Sequence, residues 1–181
     1  MEFELCVALA ADKEAIAQLI GESAHGLGPP FYSPEQIDAA LQSAFGVDSQ
    51  LIEDGTYFLA VRNGVIAGCG GWSYRATLFG SDRQAGRSPA AVDPRSGAAR
   101  IRAFFIHPAF ARKGVGSLIL HRCEAEAWRR GFRRLELMAT LSGLAFYARH
   151  GYVAGNPIQH GLGNGLTIEF VPMSKALQER P

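Results

Sequence analysis

Apolar positions along this chain change period several times, and each change predicts an element. Residues 3–8 alternate weakly, as a first strand would. Ile16, Leu19 and Ile20 then fall at helical spacing, with Asp12 placed to cap that helix. The run His25-Gly26-Leu27-Gly28-Pro29-Pro30 breaks it into a loop. A second helix starts more sharply, with Ser33 at the N-cap, Pro34 at the first position and Gln36 completing a capping box. Ile37, Leu41, Ala44 and Phe45 give it one apolar stripe. A cap of this kind contributes about 1 kcal/mol.

Residues 56–62 and 65–74 read as strands joined by Asn63-Gly64, a pair suited to a turn that needs positive φ at both central positions. Gly68, Gly70 and Gly71 in the second strand point to a bulge or a close neighbour. Residues 78–98 are rich in Gly, Ser, Pro and Arg without periodicity, which predicts a long surface loop, either untied or acting as a flap. The run Ala103-Phe104-Phe105-Ile106 is a buried strand that His107-Pro108 ends. A helix follows over residues 115–130, then a strand over 134–139. A short helix over 141–149 closes at His150-Gly151. Residues 152–159 and 166–173 form a last antiparallel pair. This order of elements implies an α+β fold with a partly parallel sheet.

Composition narrows the class. At 181 residues the chain suits one domain, and 48% hydrophobic with 19% charged residues is a globular balance. A net charge of +1 argues against nucleic acid or an anionic membrane as partner, an aminoacyl-tRNA substrate included. No apolar run reaches the ~18 residues of a membrane helix, and Met1-Glu2-Phe3-Glu4 lacks a signal peptide's basic start. Cys6, Cys69 and Cys123 match neither a disulfide framework nor a metal site. The expectation is a cytoplasmic protein without metal.

The chemistry concentrates in Ala111-Arg112-Lys113-Gly114-Val115-Gly116. A strand, a glycine turn and a helix N-terminus together make an anion site, because the first N–H groups of a helix have no intrahelical partner. A Walker A loop would need Lys and Ser/Thr after its last Gly, whereas Lys113 precedes the glycines. A dinucleotide fingerprint would need Gly at position 119, which is Ile119. The acyl-CoA pyrophosphate turn is the third phosphate motif to compare.

Four elements in order then resemble the GNAT superfamily of acetyl-CoA-dependent N-acetyltransferases: Phe105-Ile106-His107-Pro108, Gly114-Val115-Gly116, Phe146-Tyr147 and Gly151-Tyr152. The resemblance extends over residues 3–175 as a single N-acetyltransferase domain, with its sharp part at 101–152. It implies an α+β, three-layer GNAT-like fold whose central mixed twisted sheet of six to seven strands is flanked by about four helices. Three positions depart from the family pattern: Ala111 stands for its Arg or Gln, Thr140 for a frequent Asn, and Arg100 for a strand Glu linked to substrate deprotonation.

By that resemblance, acetyl-CoA is the co-substrate, held by Phe105, Ile106, Arg112, Lys113, Gly114, Val115, Gly116 and Ser117, and a primary amine of a small molecule or peptide attacks the thioester directly. The backbone N–H near Ile106 sits on the thioester carbonyl or the adjoining pantetheine, and Tyr147 assists departure of the thiolate. The acceptor is set by the first helices and the 78–98 loop, with Tyr32 and Arg102 as candidate substrate residues. Arg102 either receives a carboxylate on the acceptor or forms a structural ion pair. Glu22, His25 and cleft waters are candidate bases. Cys69 is a conceivable acyl carrier, though a free Cys usually packs as a small hydrophobe. Glu124, Glu126, Arg129 and Arg130 read as the wet face of the long helix, with Glu126 and Arg130 paired. A non-catalytic acyl-CoA-binding or sensing module is the alternative function, and a homodimer a further expectation.

Overall fold

The computed structural model describes residues 2–83 and 87–178. Hairpin chemistry sets its first half. β2 (Tyr57–Arg62) and β3 (Val65–Ser73) pair antiparallel about Asn63 and Gly64, whose φ values of 50° and 76° are those the primed turn requires. β1 (Glu4–Val7) adds antiparallel to β2, and β4 (Ala99–Ile106) to β3. β5 (Arg134–Thr140) pairs parallel with β4, and β6 (Val153–Ala154) and β7 (Ile158–Gly163) pair antiparallel with β8 (Leu166–Ala176), which itself lies antiparallel to β5. The sheet order is β1-β2-β3-β4-β5-β8-β6, with β7 also on β8.

Each face of this sheet carries its own apolar core, which makes three layers. α4 (Val115–Arg129) and α5 (Leu141–Arg149) cover one face, burying Val115, Ile119, Leu120, Cys123, Ala127 and Tyr147 against Phe58, Trp72, Leu135 and Leu137. α1 (Lys13–Leu27) and α2 (Pro34–Leu41) cover the other through Ile16, Leu19, Ile20, Ile37 and Ala40. The described sheet holds eight strands rather than six to seven, because the segment after α5 divides into two short strands. There are five α-helices among the described residues: α3 (Ser49–Glu53), capped by Asp48, is too short for an apolar period to betray it. No helix of the described residues is long and apolar enough to cross a membrane.

Several boundaries differ from the sequence expectation for local reasons. Ser33 and Gln36 form the reciprocal capping box, but α2 ends at Leu41, and Ala44 and Phe45 are buried in the turns beyond it. α1 runs on through His25 to Leu27, since Gly26 permits contact with Pro108 where a Cβ would stand 2.3 Å from its Cγ. Asp12 does not cap α1; it closes a preceding 3-10 turn by accepting the Leu9 N–H. The 78–98 segment is tied down. Arg75 bridges to Ala91 and pairs with Asp54 at 2.7 Å, Thr77 and Ser88 exchange hydrogen bonds, and Arg87 reaches Asp48 at 2.6 Å. Residues 84–86 of that segment lie outside the described residues. The expected wet face of α4 is also partly buried. Glu124 is 3% exposed and pairs with Lys175, Glu126 pairs with Arg122 and accepts from Trp72, and Arg130 stacks on Tyr74.

Two features of β4 shape the site. Opposite β3, Gly71 faces Arg102 and Cys69 faces Phe105, so β4 carries one residue more than its partner over that step. Ala103 absorbs the bulge at φ 51°, and the buried Tyr57 hydroxyl donates to its carbonyl at 3.0 Å. Gly70 lies beneath the displaced Phe104, whose ring would stand 2.2 Å from any Cβ there. On its other edge β4 pairs with β5 only at Ala99–Leu135 and Arg100–Glu136. Beyond that the parallel strands part, and the sheet opens at its centre.

Candidate active site

After β4, Pro108–Phe110 make one 3-10 turn, and Arg112 and Gly114 both adopt left-handed φ, 65° and 87°. Gly114 takes it without strain; for Arg112 it costs about 1 kcal/mol. The turn delivers the chain into α4, where the first helical bond runs from Leu118 N–H to the Gly114 carbonyl. The N–H groups of Val115, Gly116 and Ser117 therefore project from the helix end. Gly116 backs directly onto Phe146, at 3.1 Å from a Cβ position. His150 steadies this end. Its Nδ1 bonds the Phe146 carbonyl, which leaves Nε2 to accept from Ser117 Oγ at 3.0 Å. Lys113 turns its ammonium back onto the Ala109 carbonyl at 2.8 Å, whereas Arg112 lines the cleft.

That cleft has a volume of about 870 Å³ and runs along the opening between β4 and β5. Arg100 and Glu136 form an ion pair where the two strands part. So the residue at the family's Glu position holds the vertex of the split. Burial lowers the Arg100 pKa. Thr140, at the family's Asn position, caps α5 by accepting the Gly143 N–H. Phe105 and Ile106 line the cleft, and the Ile106 N–H already donates to Ser23 Oγ at 3.2 Å. Tyr147 lines it from α5, 7% exposed, its ring edge-on to Phe104 and Tyr152. Its hydroxyl bonds no other described residue, and burial, with the Cys123 thiol beside it, pushes the phenol pKa well up.

The other half of the cleft lies between α1, α2 and the 78–98 segment. Arg102 is there, its side chain wholly buried, with Nε 3.1 Å from Asp48 Oδ2 and Nη1 donating to the Thr77 carbonyl. The structural ion pair anticipated for Arg102 thus exists, and its partner Asp48 also holds Arg87. Arg102 Nη2 has no hydrogen-bond partner among the described residues. Arg100 and Arg102, two residues apart on β4, end on different carboxylates. The Tyr32 hydroxyl donates to the Glu169 carbonyl and accepts the Leu141 N–H, and burial pushes its pKa up to about 12. Only its ring is free for a ligand.

Neither anticipated base lines the cleft. Glu22 pairs with His107 at 3.2 Å, and the exposed His25 pairs with Asp38 at 3.0 Å. Cys69 is wholly buried on β3, where burial pushes its thiol up to about 12, out of the range of an acyl carrier. Sequence reasoning missed Ser23, Asp48 and the aromatic wall of Phe45, Phe79 and Phe170. Asp48 carried a signal, a possible N-cap before Ser49; the phenylalanines carried none beyond hydrophobicity. Among the described residues no three His, Cys, Asp or Glu side chains converge on a metal-sized site.

A family profile described as acetyltransferase (GNAT) family matches residues 19–152. Among solved structures, a GCN5-related N-acetyltransferase of Rhodopseudomonas palustris superimposes with a TM-score of 0.74 at 23% identity, covering 98% of this chain and 97% of its own. The PaiA N-acetyltransferase of Thermoplasma acidophilum, in complex with coenzyme A, follows at TM-score 0.67 and 14% identity, covering 98% and 100%. The YncA protein of Salmonella typhimurium, with acetyl-CoA, gives 0.62 and 17%, covering 100% and 97%. At these identities the likeness is one of fold. No curated protein sequence matches the chain.

Proposed function

The chain belongs to the GNAT acetyltransferase family, and from that premise we propose that it moves the acetyl group of acetyl-CoA to a primary amine of a small molecule or peptide by direct attack. One observation carries this reading. The split between β4 and β5, the N-terminus of α4 and a Tyr147 hydroxyl without a partner among the described residues all belong to one cleft. Complexes of the fold neighbours with coenzyme A and acetyl-CoA are consistent with it.

Acetyl-CoA supplies an acyl group already activated as a thioester. The N–H groups of Val115, Gly116 and Ser117, with the Arg112 guanidinium, suit its pyrophosphate, each favourable charge at such a terminus contributing about 0.3–1 kcal/mol. Ile106 N–H exchanges its bond to Ser23 for the thioester carbonyl, where a fixed donor stabilises the charge that develops on oxygen. Tyr147 donates a hydrogen bond to the departing sulfur. The Tyr32 ring and Arg102 line the acceptor half, with Arg102 Nη2 buried and without a hydrogen-bond partner among the described residues.

Calorimetric titration with CoA, followed by thiol release from acetyl-CoA in the presence of mixed primary amines, tests the reading. Saturable binding with amine-dependent release supports it. Saturable binding without turnover assigns the chain to the sensing alternative, and an absence of CoA binding overturns both.

A further inference from the structure

The acceptor half of the cleft is aromatic and, among the described residues, lined by no carboxylate. Phe45, Phe79, Phe105 and Phe170 come from four separate segments and meet edge-on or tilted, with centroids 5.7–6.3 Å apart. Met138 and the Tyr32 ring extend the same surface. The charged residues lining the whole cleft are Arg102, Arg112 and Arg149, and no Asp or Glu lines it among the described residues. Asp48 is wholly buried beneath this wall and already answers Arg102 and Arg87.

Resting on the acetyl-transfer reading above, we infer that the acceptor is a weakly basic amine on an aromatic or other apolar body, such as an α-amine of an amide or peptide, rather than a lysine side chain or a polyamine. Two arguments converge. A cation entering this half meets flat apolar rings, with no lining carboxylate among the described residues to replace its water and with Arg102 already paired to Asp48. The proton balance agrees. A neutral amine attacks the thioester carbon, the N–C bond forms, the C–S bond breaks, and the amine's own proton ends on the leaving sulfur, giving amide and thiol. An ammonium must first lose a further proton, and no carboxylate lines the cleft among the described residues to take it: Glu22 and His25 lie outside the lining on His107 and Asp38, His150 lines the α4 end bonded to Ser117, and His160 packs on Phe79 and Phe170 outside the lining. At pH 7 an α-amine of pKa 7.7–8.0 is about 10–17% neutral and a lysine ε-amine of pKa 10.4 about 0.04%, a ratio near 300.

The test measures thiol release from acetyl-CoA at pH 7 by the full chain, with phenylalaninamide, glycinamide, Nα-acetyl-lysine amide and spermidine as acceptors. The expected order puts phenylalaninamide about 100-fold above the lysine derivative and spermidine in kcat/KM, and about tenfold above glycinamide. Phe79→Ala should narrow the phenylalaninamide-to-glycinamide ratio about tenfold. Preference for spermidine or lysine, equal use of glycinamide, or a ratio unmoved by Phe79→Ala overturns the inference while leaving acetyl transfer standing. Saturable acetyl-CoA binding with none of the four amines used overturns it too. Failure to bind acetyl-CoA overturns the transfer reading beneath it.

Discussion

Replacing Tyr147 with Phe removes one oxygen from a site where its loss can be reasoned in both directions. A phenol of ordinary pKa 10 is a weaker acid than a thiol of 8.5, so full proton transfer to the departing thiolate runs uphill by about 2 kcal/mol. Burial raises the Tyr147 phenol and widens that gap. The hydroxyl therefore acts by hydrogen-bonding to a developing anion, worth about 1.5–3 kcal/mol, and Tyr147→Phe should lower kcat roughly 10- to 100-fold. Stability should move the other way. The hydroxyl has no partner among the described residues, so its removal orphans nothing, and the variant should match or exceed the parent by up to about 1 kcal/mol. Thiol release at saturating acetyl-CoA gives the first quantity and a urea melt the second, with the acetyl-CoA dissociation constant held within about threefold. A kcat within threefold of the parent refutes a role for the hydroxyl at sulfur. A loss of more than 1 kcal/mol in the melt refutes the claim that it lacks a structural partner.

Three further outcomes follow from geometry. Asp48→Ala leaves the wholly buried Arg102 guanidinium uncompensated and frees Arg87, and should destabilise the fold by about 3–5 kcal/mol in urea melts. Gly114→Ala places a Cβ at φ 87°, which should cost about 1 kcal/mol of stability and weaken acetyl-CoA binding measured calorimetrically, because the α4 N–H groups lose their aim. The hydrogen bond to Asp38 and the Gly21 carbonyl raise the His25 pKa above 6.5. Its small contribution is thus fully present below about pH 6.5 and lost as pH rises through the folded pKa. NMR titration should show His25 above its ordinary value, and Asp38→Asn should bring it back down.

Legibility followed range. The Asn63-Gly64 hairpin, the Ser33–Gln36 capping box and the turn into α4 could be read because neighbouring residues decide them. Errors arose where local signals are silent or compete. A five-residue helix leaves no period, and Gly26 signalled a helix break when its real service is close contact with Pro108. Glu124 carries a charge that normally marks solvent, yet Lys175 from the far strand β8 closes over it at 2.7 Å.

The sequence by itself determined the α+β order of elements, the glycine turn that opens α4 and the family, because caps, turns and strand periods are settled by a few adjacent backbone angles. The tertiary structure decided everything about the acceptor half of the cleft. The bulge at Ala103 depends on a hydroxyl from Tyr57, and the Arg102 charge on a carboxylate 54 residues earlier. The aromatic wall gathers residues from four segments, and no single segment shows it. Such contacts are fixed by which surfaces pack together, and packing is a property of the whole chain rather than of any stretch of it.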